Sequence, residues 1–415
     1  MNIHLSPAAS RRQNAHLTFK HNQHMGRHGW LRLTPAYSVG LVREVLSAHC
    51  DPTSVLDPFS GTGTTVLTAA YMGLRGTGLE INPFLVWFSS VKTKRFADAA
   101  IRRAGNLAAE IGKATLCTCS SETAPPPIHN VERWWDPSEL DYLCRLKAQI
   151  DNCEATSSDE RDLLLVAFCR TVIALSNAAF NHQSMSFKKR PAEPTLFDLS
   201  PDHSDLFRAE VATVLEGAAD APAATGAIVA GDARNASKYL SDEYDLLVTS
   251  PPYPNRMSYI RELRPYMYWL GYLTNGRDAG ELDWRAIGGT WGIATSRLLE
   301  WETPPDWRVP PSLETAIRGI SSPSNKNGRL LANYVSKYFH DMRAHFMDLS
   351  NVLRKGAEVH YVVGNSSFYG VLLPVETIYH DMLAEVGFKD LRITRLRKRN
   401  SKKELYEFDV SGRMA

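Results

Sequence analysis

Ser250 and Tyr253 are the residues of this 415-residue chain whose types and setting most plainly invite chemistry. They bracket two prolines in Thr249-Ser250-Pro251-Pro252-Tyr253, directly after the mostly apolar residues 244–248. An apolar run that short suits a buried strand and is too short for a helix. Two consecutive prolines exclude both a strand ladder and a helix, so the chain must leave its sheet at Ser250. The result is a rigid, donor-poor loop carrying one hydroxyl and one ring at a sheet edge, where open α/β folds place their ligands.

The other chemically suggestive stretch is "DPFSGTGTT", residues 57–65, which follows the short apolar segment "SVL". Gly61 and Gly63 permit close backbone approach, and the Asp57 carboxylate suits an ammonium group. The stretch lacks the lysine of a phosphate-binding P-loop, which argues against a nucleoside triphosphate. Glu80 ends the next apolar segment, at the spacing where a carboxylate accepts both hydroxyls of an adenosine ribose. These residues point to an adenosine-type cofactor, the plain alternative being a structural turn. Asp232, in "GDARN", is either a ligand of the same cofactor or ordinary turn chemistry.

Positioning these residues requires a βαβ unit over residues 53–84, with its glycine turn at the carboxyl end of the first strand. Leu41, Val42, Val45 and Leu46 recur at helical spacing and predict a helix leading into that strand. Further strands are expected in "AIVAGDARN", "YDLLVTSPPY" and "GAEVHYVVGNS". "LRITRLRKRNSKKELYEFDV" reads as a terminal antiparallel hairpin around a basic turn. The expected class is therefore α/β: a Rossmann-like doubly wound sheet with that hairpin and helical insertions. Residues 1–95 form a cofactor-binding half, 96–224 a mainly helical insertion, and 225–415 a catalytic half interrupted by an irregular insertion at about 272–330.

Composition narrows the function classes. Lys and Arg number 47 against 45 Asp and Glu, a net charge of only +2, so a polyanion partner is announced only by local runs, "KKR" at 188–190 and "RLRKRNSKK" at 395–403. Either run can equally be a solvated face or a hairpin tip. No apolar run is long enough for a membrane span, and residues 1–20 hold no signal-peptide core, so a cytoplasmic protein without a membrane partner is expected. The six cysteines show no paired CxxC spacing; free thiols and no metal are expected.

Together, the quoted motifs carry a resemblance. "DPFSGTGTT" resembles the S-adenosyl-L-methionine motif of the DNA amino-methyltransferases. "TSPPY" resembles their catalytic motif, in which Ser, Asp or Asn precedes Pro-Pro-Tyr or Pro-Pro-Phe. The resemblance covers about residues 25–95 and 225–410, with the cofactor half first, a permuted order relative to the most familiar class. It implies S-adenosylmethionine as cofactor, with Asp57, Pro58, Phe59, Gly61, Gly63 and Thr64 shaping the pocket for its methionine half. Glu80 would hold the ribose, Asn82 with Pro83 and Phe84 would flank the adenine, and Asp232 would accept from the adenine amine. Pro35, beside Tyr37 in "RLTPAYS", would belong to the remaining cofactor motif. Ser250, Pro251, Pro252 and Tyr253 would be catalytic.

The implied activity is methylation of the exocyclic N4 amine of cytosine at a specific site in double-stranded DNA, beside a cognate restriction endonuclease. A first-position Ser goes with cytosine amines in that family; N6-methyladenine is the runner-up. Such an amine is a poor nucleophile because its lone pair is delocalised into the ring. Acceptors such as Ser250 Oγ and the Pro251 carbonyl would favour a more tetrahedral nitrogen. Tyr253 would stack on the extruded base, worth about 1–3 kcal/mol. DNA recognition would fall to "VERWWDP" and "NHQSMSFKKRP" in residues 96–224, and to Trp284, Arg285, Trp291, Arg297 and "SSPSNKNGR" in residues 272–330. The rivals are an RNA guanine-N2 methyltransferase, a catalytically silent nucleic-acid-binding protein and, more distantly, a nicotinamide dehydrogenase.

Overall fold

A computed structural model describes residues 4–5, 17, 19–31, 37–49, 53–117, 124–155, 157–179, 186–187, 203–241, 243–255, 258–399 and 404–415. Pro35 and the run Lys188-Lys189-Arg190 lie outside the described residues. The described strands are β1 (His4–Leu5), β2 (Ser54–Asp57), β3 (Arg75–Glu80), β4 (Ala178–Ala179), β5 (Ser186–Phe187) and β6 (Ala227–Ala230). They continue with β7 (Tyr244–Thr249), β8 (Leu353–Gly364), β9 (Ser366–Phe368), β10 (Val371–Leu373), β11 (Lys389–Lys398) and β12 (Tyr406–Arg413). Eight of them form one sheet in the order β1-β11-β12-β8-β7-β2-β3-β6.

From β6 to β8 the sheet is parallel, while β12 runs antiparallel to both β8 and β11. The chain starts the parallel sheet at β2, steps outward through β3 to β6, then returns to the other side of β2 at β7 and continues to β8. This is a doubly wound, Rossmann-like sheet whose winding reverses between β2 and β7, and the crevice at that reversal is where such sheets bind ligands. The expected βαβ unit is present as β2, the helix Thr64–Tyr71 and β3. The helix Val39–Ala48 and the terminal hairpin β11–β12 also form as expected.

The central strands are apolar on both faces, as buried parallel strands must be. Val55, Leu246 and Val248 point to one side, against Val42 and Leu46 of the helix Val39–Ala48. Their neighbours Leu56 and Leu247 point to the other side, into a core with Val335, Phe339 and Met342 of the long helix Gly328–Asp348. A separate core joins the interval 96–224 to the helix Tyr259–Trp269 through Trp135, Phe168 and Trp269.

Residues 272–330 differ from the irregular excursion expected. They carry the helices Gly276–Arg285, Ile293–Glu300 and Pro311–Ile320. Asn275 caps the first through Arg277 and Asp278 N–H, and Pro311 opens the last, so short well-capped helices hide in a Gly- and Pro-rich composition. No helix among the described residues is long and apolar enough to cross a membrane.

Candidate active site

β2 and β7 end side by side, and their last residues are bonded: Thr249 Oγ1 donates to Asp57 Oδ1 at 2.6 Å. The loops beyond these ends, with those after β3 and β6, enclose a cavity. Pro58, Phe59, Ser60, Gly61, Thr62 and Thr64 supply one wall, Glu80 and Asn82 the next, Asp232 the third, and Ser250 with Pro252 the fourth. The two motifs, nearly two hundred residues apart in the chain, thus open into one cavity.

Glu80 is buried beneath the glycine turn, and its oxygens accept from Gly61 N and Asn82 N, each at 2.8 Å. Burial is the main reason its pKa is pushed up to about 7; the two backbone donors oppose the rise. Each carboxylate oxygen retains a further acceptor site, which fits the paired hydroxyls of a ribose. Gly61 and Gly63 have φ of +52° and +72°, and a Cβ on Gly63 would lie 2.9 Å from that of Ser89. A side chain is therefore excluded at Gly63 by contact, and Gly61 is favoured by its left-handed φ alone.

Asp57 differs from its expected place. It is fully buried below the cavity and does not line it, because Thr249 and the backbone N–H of Phe59 draw Oδ1 into the sheet's end. Its Oδ2 is buried without a hydrogen-bond partner among the described residues, and burial raises its pKa to about 6. Phe59 lies on the wall, edge-on to the buried ring of His345 at 4.9 Å. His345 is pushed down to about 4 by burial, and Ala233 O and Tyr361 Oη hold its two nitrogens, each at 2.8 Å.

Asn82 caps the helix Pro83–Thr93 by accepting from Phe84 N at 3.0 Å. Phe84 itself is buried in the helical core. Burial opposes ionisation of Asp232, but the hydrogen bonds and charge of Arg234 outweigh it and hold the carboxyl below its usual range. Asp232 also caps its own turn through Arg234 N.

Ser250 Oγ donates to the Val362 carbonyl of β8 at 3.1 Å and stands 3.4 Å from Tyr253 Oη. Pro251 is buried and off the cavity wall, whereas Pro252 lines it and accepts from Tyr338 Oη at 2.8 Å. Tyr253 is half-buried; its hydroxyl donates to Glu407 at 3.0 Å and its N–H to Tyr259 Oη at 3.3 Å. The Arg399 guanidinium lies over the Tyr253 ring at 5.0 Å. Of the basic run at 395–403, residues 395–398 end β11, where Arg397 pairs with Glu407 and Lys398 with Glu404, and residues 400–403 lie outside the described residues.

Of the further wall residues, Tyr37 was marked in the sequence only as part of the loose "RLTPAYS" motif and Arg285 only as a DNA-facing residue, while Tyr259, Glu262, Leu263 and Ile287 had no signal. Tyr37 reaches the cavity and bonds Thr65. Tyr259, Glu262 and Leu263 project from the helix Tyr259–Trp269, and Arg285 and Ile287 from the following interval. Lys92, buried under the glycine turn, donates to Thr62 O at 2.7 Å, and burial lowers its pKa to about 7. Of the residues expected to meet DNA, Trp134 and Trp135 are buried in the helical core, and Arg297 is tied to Glu281 by two hydrogen bonds.

The sheet order and the crevice define a Rossmann-like fold with the buried Glu80 carboxylate on the cavity wall. No protein-family profile matches the chain. It is 22% identical to the Type II methyltransferase M.BsoBI of Geobacillus stearothermophilus, over 96% of this chain and 86% of that protein. It is also 22% identical to the Type II methyltransferase M.AvaI of Nostoc (90% and 81%), and 21% identical to M.MvaI of Kocuria varians (81% and 75%). Among solved structures it is similar to the rRNA methyltransferase aviRa from Streptomyces viridochromogenes at 12% identity, with 98% and 95% of the chains covered. The TM-score of 0.31 is too low for that likeness to carry weight.

Proposed function

We propose that this chain is an S-adenosylmethionine-dependent DNA methyltransferase that modifies the exocyclic N4 amine of cytosine within a specific duplex sequence. The observation that carries the reading is one cavity bordered by Glu80, the glycine turn and Ser250. Three Type II methyltransferases similar along most of the chain support the same class. When bound, S-adenosylmethionine supplies an electrophilic methyl group. Glu80 binds its ribose, the turn 57–64 admits its methionine half, and Asp232 and Asn82 bound the adenine side. The bare Oδ2 of Asp57 adds a negative charge beneath the turn that favours the cofactor's cationic groups.

Ser250 accepts an N–H of the target amine and draws that nitrogen toward a tetrahedral, nucleophilic form. The extruded base stacks on Tyr253, whose ring is oriented by Glu407. Pro251 stiffens the loop without lining the cavity. DNA recognition falls to surfaces of residues 96–224 and 272–330, and a cognate restriction endonuclease is the natural companion of the activity. Incubation with labelled cofactor and duplex DNA, followed by nucleoside mass spectrometry, tests the proposal. N4-methylcytosine is the expected product. N6-methyladenine would overturn the choice of base, and label in RNA alone would overturn the DNA reading.

A further inference from the structure

Away from the cavity, three side chains converge that methyl transfer leaves without a role. His49 terminates the helix Val39–Ala48, while Glu358 and His360 stand two residues apart on β8 and so share one face. One ligand atom from each lies within 4.8 Å of the others, although His49 and Glu358 are 309 residues apart in the chain. None of the three lines the cavity.

Their outer hydrogen bonds fix which atoms face inward. His49 Nδ1 is 2.7 Å from the Val45 carbonyl, and His360 Nδ1 is 2.8 Å from an oxygen of Asp409. Against a carbonyl and a carboxylate each Nδ1 carries the hydrogen, which leaves His360 Nε2 as a lone pair, while His49 Nε2, against Glu358, holds either a proton or a metal ion. The two Nε2 atoms face one another at 3.4 Å, and Glu358 brings its carboxylate against His49 Nε2. Two imidazole nitrogens and a carboxylate oxygen turned toward one another need a cation among them, a proton on His49 or a metal ion. Two imidazole nitrogens on one tetrahedral zinc, each at ~2.0–2.1 Å, are themselves separated by about 3.4 Å.

The surroundings favour positive charge at the same point. Val45 O belongs to the last turn of the helix Val39–Ala48, the end whose dipole attracts cations. Histidines held from behind by a carbonyl and a carboxylate are the usual outer shell of a zinc site. Glu358 is the most exposed of the three side chains, so its carboxylate has room to turn toward an ion while Arg413 steadies its other oxygen. Two imidazoles and one carboxylate suit Zn²⁺ better than Mg²⁺ or Ca²⁺, which prefer oxygen.

We infer that His49, Glu358 and His360 bind one Zn²⁺ as a structural clamp. The clamp joins the helix preceding β2 to β8, and through Asp409 to β12. β8 also carries Val362, the acceptor of the Ser250 hydroxyl, so the ion braces the strand behind the methyl-acceptor loop. The inference is independent of what the cavity methylates.

The test is chelator-treated full-length protein titrated with Zn²⁺ and, separately, with Co²⁺ in the absence of DNA and cofactor. One equivalent of Zn²⁺ should remain bound after gel filtration and raise the melting temperature, and Co²⁺ should give the visible bands of a low-coordinate nitrogen–oxygen site. His49→Gln and His360→Gln should lose both signals, and Asp409→Asn, acting from behind His360, should weaken Zn²⁺ binding by about 10–100-fold. If a variant does not fold, the native Co²⁺ spectrum decides alone. No saturable binding by the native protein would show that a shared proton is the cation and overturn the site, as would binding unchanged in both histidine variants.

Discussion

The Ser250 hydroxyl donates to the Val362 carbonyl at 3.1 Å. Its single proton is directed to that carbonyl or to Tyr253 Oη 3.4 Å away, and what it offers the cavity is lone pairs. An acceptor-only hydroxyl suits an amine that must be held by its N–H groups. It does not suit a donor role toward the ring nitrogen beside the amine, an acceptor that cytosine and adenine both offer, so the choice of base rests on the size of the pocket. Ser250→Ala is expected to slow methyl transfer on the order of 10²-fold, in the range set by removing one pre-placed polar group. Cofactor affinity, measured by calorimetry, should stay unchanged; a wild-type single-turnover rate would remove Ser250 from the chemistry.

Both cavity motifs were legible in the sequence because each depends on local rules: a glycine turn after a strand, and prolines that end one. Glu80 was legible for the same reason, being a fixed step from the turn. The zinc-type cluster was not, since its ligands come from a helix end and a distant strand that only the sheet brings together. The place of Asp57 was also hidden, because whether a strand's last side chain faces a cavity or the sheet depends on its partner Thr249. The short helices of residues 272–330 escaped because Trp, Gly and Pro mask periodicity over so few turns.

Gly63 and Gly61 make a paired test of the turn. Gly63→Ala combines a left-handed φ with a 2.9 Å approach to Ser89 Cβ, whereas a Cβ on Gly61 meets nothing nearer than 3.8 Å. Gly63→Ala should cost about 1–3 kcal/mol in denaturant unfolding, and Gly61→Ala less. Equal costs would mean that Ser89 gives way and packing is not what reserves position 63 for glycine.

Tyr253 is held by its hydroxyl, and the proposed stacking on the extruded base would use its face. Tyr253→Phe loses the bond to Glu407 but keeps the ring under Arg399, so duplex methylation should fall only a few-fold. Tyr253→Ala removes the stacking surface and should lose about 1–3 kcal/mol of transition-state stabilisation. Comparison of kcat/KM for the two variants on duplex DNA is the measurement. Equal losses would place the role of Tyr253 in its hydroxyl, against the stacking assignment.

Burial lifts Glu80 to about 7 and Asp57 to about 6, which ties cofactor binding to pH. For a carboxyl whose folded pKa exceeds its unfolded one, the stability it contributes is present below about pH 4 and lost as pH rises through the folded value. The free protein should therefore lose this contribution between about pH 4 and 7. A ribose donating to Glu80 prefers the ionised form, so the sign reverses for binding: S-adenosylmethionine should bind more tightly as pH rises from 6 to 8 and release protons. The dependence is at most about tenfold per pH unit for each carboxyl. Lys92 also titrates near 7 but bonds Thr62 from outside the cavity, and Glu80→Gln separates the two by removing only the carboxylate's share. Calorimetry in two buffers of different ionisation enthalpy counts the protons. An affinity flat from pH 6 to 8 in the native protein would detach Glu80 from the ribose.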